Sequence, residues 1–543
     1  MISSSIIRLI SQRALKTSCL LILGLMLCFV SSCKDNPVNN KEEEEPQSTN
    51  PPSIPTNLSP ESGATVSTNI TLTWDEVTDA SQYEVQLATD SNFENIISNT
   101  SADNPSYQYE EYELYKQYYW KVRAKNSAGA GEWSATRTLS INNIIYDPRC
   151  VNGMAHKEYD CKNVDLVQFL TVDDLMGERV NDIWGWTDPM TDKEYALVGL
   201  SDGVTFVDMS KPDNARILGK LTESETQRVS AGTTNGHLKS LKHDDEGKST
   251  WRDLKVYNNH LYVVSDAQPH GLQVFDLTKL RNVESPPVQF TEDYLYQGFS
   301  PAHNIAINKE SGYAYAVGSD VDGGGLHILD LSQPLNPTFV GAHADSTVGR
   351  NLTGYVHDTQ CVNYKGPDPD YQGEEICFNS SETHFVIANV SDKSATATIS
   401  KATYDDSEYI HQGWLTEDHS YFLQDDELDE KSGKKTTTYV WDVRDLDNPK
   451  LINEHTAASN AIDHNLYIKN GYAYQANYTS GLRILDLSNI ASGTLNEVAY
   501  FDTFPQHNET EFDGAWSSYP FFESGLIIVS DISNGLFILR PNI

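Results

Sequence analysis

Ala302-His-Asn-Ile-Ala-Ile307, Tyr313-Ala-Tyr-Ala-Val-Gly318 and Leu326-His-Ile-Leu-Asp330 follow one another closely, separated by Gly, Asn and Asp. Each run is too short for a helix and is bounded by turn residues, which reads as a buried strand. The first run opens on a polar pair, His303-Asn304. That pair returns as Asn181-Asp182, Arg252-Asp253, His357-Asp358, His411-Gln412, His464-Asn465 and, loosely, Trp516-Ser517. After a first step of 71 residues, successive pairs lie 51 to 54 residues apart. The run closing on Asp returns with it, as Val204-Thr-Phe-Val-Asp208, Leu272-Gln-Val-Phe-Asp276, Tyr439-Val-Trp-Asp442 and Leu482-Arg-Ile-Leu-Asp486. The copy Phe385-Val-Ile-Ala-Asn389 ends in Asn instead. A period of this length, made of short strands and turns, is the signature of a β-propeller. Seven copies predict seven blades over residues 147–543.

The chain ends suggest how the ring closes. Leu536-Phe-Ile-Leu-Arg540 matches a third strand, and no fourth follows it. An unclaimed strand, Val164-Asp-Leu-Val-Gln-Phe169, lies just before the first repeat. Residues 164–170 are therefore expected to pair with 535–540, which removes an open sheet edge.

The densest motifs carry a family resemblance. They include Asn181-Asp-Ile-Trp-Gly-Trp-Thr-Asp188, Trp251-Arg-Asp-Leu-Lys-Val256 and Ala302-His-Asn-Ile-Ala-Ile307. His411-Gln-Gly-Trp-Leu-Thr-Glu-Asp418, Asp463-His-Asn-Leu-Tyr467, Gln475-Ala-Asn-Tyr478 and Gly514-Ala-Trp516 complete the set. Together they resemble the choice-of-anchor B family, and the Asp-ending strand resembles the LVIVD repeat of bacterial surface proteins. The resemblance implies an exported propeller whose members differ in how they attach to the envelope. It implies no activity.

Arg8, Arg13 and Lys16 precede a short apolar core, Cys19 to Val30, as in an export signal over residues 1–32. Val30-Ser31-Ser32-Cys33 resembles a lipobox, in which Cys33 is acylated and holds the protein to a membrane. The alternative is an ordinary signal peptide with an incidental cysteine. Lys34-Asp35 resembles the short signal that directs some lipoproteins to the outer face of the outer membrane. Residues 33–52 are polar and Pro-rich, with the run Glu42 to Glu45, and read as a disordered acidic tether. Residues 53–142 alternate at period two, as in Ile70-Thr-Leu-Thr-Trp74 and Tyr83-Glu-Val-Gln-Leu87. With Trp120 and Gly131-Glu-Trp133-Ser134 they resemble a fibronectin type III β-sandwich, with Trp74 and Trp120 in its core. The expected fold class is all-β, a seven-bladed propeller preceded by that sandwich.

The formal net charge is -38, from 77 acidic and 39 basic residues, and such a surface repels nucleic acid. Beyond the N-terminus no apolar run is long enough to span a membrane. Four cysteines remain outside the signal and the lipid site. Export favours two local disulfides, Cys150 with Cys161 and Cys361 with Cys377, over zinc.

Chemistry concentrates in two places. His303, His357, His411 and His464 share one slot on consecutive blades and should form an arc around the axis. They either ligate a transition metal or bridge blades by hydrogen bonds. The acidic loops are the second set: Asp320 and Asp322 before a Gly-rich turn, and Asp425, Asp426 and Glu427. They either hold Ca2+ or are solvated loops, and the full twelve-residue calcium pattern is absent. No nucleophile elbow, phosphate loop or free reactive cysteine is present. The expectation is a lipid-anchored, non-enzymatic propeller that binds a protein, glycan or small ligand. A metal-dependent hydrolase or lyase working in the axial pocket is the alternative.

Overall fold

In the computed structural model, which describes residues 49–66, 70–109, 117–141, 148–224 and 248–543, the repeats form seven antiparallel sheets of at least four strands. Residues 1–48, and with them the signal segment, Cys33 and most of the tether, lie outside the described residues. The first strands of the blades are Val180–Thr187, Arg252–Tyr257, Asn304–Asn308, Asp358–Asn363, Ile410–Leu415, Leu466–Lys469 and Ala515–Tyr519. Each lies beside the first strand of the next blade, and the seventh lies beside the first. These strands therefore line the axis, and the later strands of each blade run outward from it.

The Asp that ends the third strand has a local task. Asp330 Oδ1 accepts from Ser332 N at 2.7 Å, Asp442 Oδ1 from Arg444 N at 3.1 Å and Asp486 Oδ1 from Ser488 N at 2.8 Å. Asn389 Oδ1 makes the same bond to Ser391 N at 2.9 Å. The slot thus needs an acceptor oxygen two residues before a turn amide and no charge, so Asn serves as well as Asp. The hairpins between first and second strands are equally local. Lys469 pairs with Tyr472 across Asn470 and Gly471, whose φ values of 52° and 76° are those of a tight two-residue turn.

Blade 7 is completed by the N-terminal side of the unit. Val164–Thr171 runs antiparallel to Gly535–Pro541, with Phe169 opposite Phe537. Two additions were not legible in the sequence. Val288–Phe290 adds a parallel fifth strand to blade 1, and the hairpin of Met154–Ala155 and Tyr159–Lys162 extends the edge of blade 6.

The described chain divides into two compact units, and the smaller one is built mainly from residues 71–108 and 118–138. The strands between residues 64 and 141 form a five-membered sheet path from Ala64–Val66 to Ile96–Ala102, joined at Gln117–Asn126 by Gly129–Ala130, and a pair, Ile70–Thr73 with Ser106–Tyr109. The alternating residues Tyr118, Trp120, Val122 and Ala124 are all buried, as are Trp74 and Tyr83. The tryptophans are core residues that offer no ligand platform.

Both local disulfides form, Cys150 with Cys161 and Cys361 with Cys377. The second joins cross-strand partners in blade 4 and closes a loop with a sequence separation of 16. Replacing Cys361 and Cys377 together by alanine is expected to cost about 3 kcal/mol in denaturant unfolding. A change below about 1 kcal/mol would show that the blade is already constrained without the bridge. No helix of the described residues is long and apolar enough to cross a membrane.

Candidate functional site

The polar pair sits where the innermost strand begins, and its second member fastens neighbouring blades. Asp253 Oδ2 accepts from Ile305 N at 2.7 Å, and Asn304 Nδ2 donates to the His357 carbonyl at 3.0 Å. Gln412 exchanges two bonds with Leu466, at 3.0 and 3.1 Å. These bonds satisfy backbone groups that would otherwise be buried unpaired between sheets.

The first member uses one ring nitrogen, which reaches a neighbouring blade from His303, His357 and His464 and stays within blade 5 from His411. His357 Nδ1 donates to the His411 carbonyl at 3.1 Å, and His464 Nδ1 to the Trp516 carbonyl at 2.5 Å. His303 Nδ1 lies 3.0 Å from Asp266 Oδ2, and His411 Nδ1 lies 3.2 Å from Asp425 Oδ1. Every one of these partners is an acceptor, so each imidazole carries a proton on Nδ1 and turns Nε2 elsewhere. The rings follow one another closely, with centroids 4.3, 4.3 and 4.5 Å apart from His303 through His357 and His411 to His464. Structure and sequence thus place all four in one arc.

Glu427 meets the end of that arc. It follows the second strand of blade 5, Tyr421–Asp426, and its carboxylate lies 4.0 Å from His411 Nε2 and 3.5 Å from His464 Nε2. One ligand atom from each of the three residues can be chosen so that all lie within 4.8 Å of one another. Two imidazole Nε2 atoms and a carboxylate that converge in this way are a donor set that a cation between them would satisfy. Nitrogen and oxygen ligands about 2.0–2.2 Å from a tetrahedral ion are separated by roughly 3.4 Å, close to the spacing here. The surroundings also match a metal site. Asp425 and the Trp516 carbonyl hold the two rings by Nδ1, and the Tyr478 hydroxyl donates to Glu427 Oε1 at 2.8 Å. Such outer hydrogen bonds fix the tautomer and orientation of ligating groups. His411 and His464 are buried, whereas the Glu427 side chain keeps 16% of its surface exposed, which gives an ion an approach.

Electrostatics separate the histidines. Burial disfavours charge on His411, yet Asp425 and Glu427 outweigh it and hold the imidazole up at about 9. Burial, followed by the charge on His411, pushes His357 and His464 well below the ordinary imidazole value. One proton therefore occupies this end of the arc at neutral pH when no metal does.

The other acidic candidates lie apart from this set or face away from it. Asp320 accepts from Ser300 N at 2.9 Å, and Asp322 Oδ2 lies 2.6 Å from His327 Nδ1. Asp426 accepts from Tyr404, Glu408 N and Tyr409 N at 2.6 to 2.8 Å. Arg252, in the same slot as the histidines, donates to the Leu200 carbonyl and meets His270. Sequence reading gave no role to Tyr478 or Asp266, whose partners lie far away along the chain. It also missed Asp368, Asp445 and Asp447, which the fold brings together with Asp368 buried and the other two exposed.

No curated protein matches the chain in sequence. Among solved structures it is similar to a protein from Lactobacillus plantarum, with 12% identity, 65% of this chain and 88% of that chain covered, and a TM-score of 0.41. The sandwich region is similar to a Fn3-like protein from Clostridium thermocellum, with 22% identity, 17% of this chain and 95% of that chain covered, and a TM-score of 0.15. It is also similar to FN3tt, with 26% identity, 16% and 95% covered, and a TM-score of 0.14. The LVIVD repeat model matches residues 302–345, which span blade 3, and 464–503, which span blade 6, so the propeller carries LVIVD repeats.

Proposed function

We propose that this protein is a non-enzymatic binding propeller whose axial site takes a divalent transition-metal ion through His411, Glu427 and His464. The observation that carries the reading is that two imidazole Nε2 atoms, of His411 and His464, lie 4.0 and 3.5 Å from one carboxylate. A set of two imidazoles and a carboxylate suits Zn2+ and its neighbours better than Ca2+. In this reading the chain is of the choice-of-anchor B kind, lipid on Cys33 holds it to the outer membrane of a bacterial cell, and the sandwich is a fibronectin type III spacer. Acyl labelling that is lost in Cys33→Ser tests the anchor.

Titrating Zn2+ into metal-free protein tests the site. The ion must displace the proton that His411 holds up to about 9. Affinity is therefore expected to rise about tenfold per pH unit between about pH 6 and 8, with about one proton released per ion. Calorimetry in buffers of different ionisation enthalpy reads both quantities, and an affinity indifferent to pH would exclude His411 as a ligand. Three protein ligands also leave a coordination position open, as a metal-dependent hydrolase or lyase requires. Turnover of ester or phosphoester probes that rises and falls with bound metal would replace the binding reading with that one.

A further inference from the structure

We propose that the propeller has a second axial site, where the innermost strands end, and that it takes a small organic amine with an apolar body. The ammonium group would sit on Asp358, and the body against Trp414 and Phe521. This site stands independently of the metal reading.

The innermost strands all begin beside the histidine arc and run the same way along the axis. Residues later in them therefore gather at the other end. There a cavity of about 250 Å³ opens, and all seven blades contribute to its wall. That volume is just below the ~300–1,000 Å³ usual for small-molecule sites. Its apolar side is aromatic. Tyr467 lies 5.0 Å from Trp414 and 5.9 Å from Phe521 between ring centroids.

Most polar groups of the wall are already engaged. Lys255 pairs with Asp253, and with Asp182 at 3.2 Å. Gln412 is tied to Leu466 of the next blade. Asp358 accepts from Thr359 N at 2.6 Å, and among the described residues no side chain pairs with its carboxylate. The Tyr467 hydroxyl likewise has no hydrogen-bond partner among the described residues. Asp182 and Asp253 share the ammonium of Lys255, whereas burial holds the Asp358 carboxyl up at about 7, and an ammonium arriving beside it would favour its ionised form. The wall already seats one ammonium against a ring, since Lys255 Nζ lies 4.6 Å from the Trp184 centroid. Aromatic walls with a carboxylate between them are the chemistry that recognises organic cations. Lys309 at the rim opposes an arriving cation, so the choice between amine and carboxylate ligands is the decisive measurement.

Calorimetric titration of the full chain with phenethylamine, and separately with 3-phenylpropionate, tests the site. The expected result is saturable one-to-one binding of the amine, with the carboxylate at least about tenfold weaker. In Asp358→Asn the amine should weaken at least about tenfold while the melting curve stays in place. Equal amine affinity in the variant, preference for the carboxylate, or binding of neither compound would overturn the proposal. If Asp358→Asn fails to fold, the comparison of the two ligands on the unaltered protein still decides.

Discussion

Replacing His411 or His464 by alanine is expected to lower affinity for Zn2+ at least about 100-fold and to abolish the rise in melting temperature that the ion produces. Loss of outer hydrogen bonds alone typically costs 10–100-fold, so Asp425→Asn should fall in that range and loss of a ligating nitrogen beyond it. The thermal readout follows from mass action. An ion at about 100 times its Kd stabilises the folded state by about 2.7 kcal/mol, and a variant that no longer binds at that concentration gains nothing. His303→Ala is the internal control. His303 shares the slot, but its ring is two places along the arc from His411 and it is not among the three residues that converge. A loss in His303→Ala equal to that in His411→Ala would show that the arc acts by packing rather than by coordination.

The same residue makes the metal-free protein sensitive to pH. The folded His411 imidazole is held up at about 9, above its ordinary value near 6.5. Its charged form therefore adds stability that is whole below about pH 6.5 and is lost as pH rises through about 9. Bound metal needs the neutral ring, so saturating Zn2+ should remove this slope, and His411→Ala should remove it without metal.

What the sequence made legible was set by period. Spacing between polar pairs gave the blades, because each blade is one supersecondary unit with the same strands and turns. The incomplete last repeat pointed to Val164–Thr171, because an open third strand leaves a row of unpaired backbone groups. The histidine arc was legible for the same reason, since equal positions in equal blades must lie at equal heights on the axis. Period says nothing about what crosses the axis. Glu427 sat inside an acidic run like any solvated loop, and only the fold shows it turned toward His464 rather than grouped with Asp426. Tyr467 and Trp414 read as ordinary strand residues and Asp358 as one more member of a polar pair, and the cavity they share exists only once seven blades meet. Asn389 looked like a departure from the repeat until its turn amide was visible.

The largest loss of stability is expected from removing the strand that closes the ring. In Val164–Thr171 the side chains of Val164, Leu166 and Leu170 are buried, and the Phe169 ring lies 4.6 Å from that of Phe537. Burial of an aliphatic side chain of this size is worth about 1.5–3 kcal/mol. Three of them therefore carry an amount comparable with the ~5–15 kcal/mol by which a domain is usually stable. The double substitution Leu166→Asp with Leu170→Asp adds the cost of two buried carboxylates without partners. Both that variant and a chain beginning at residue 172 are expected to lose the cooperative melt of the propeller. The shortened chain should also self-associate, because Gly535–Pro541 would become an exposed edge that pairs with another copy. Adding a peptide of residues 164–171 should restore monomers by filling that edge. If the shortened chain instead melts at the temperature of the full one and stays monomeric, blade 7 is stable on three strands and the ring is held by the contact of its first strand with that of blade 1.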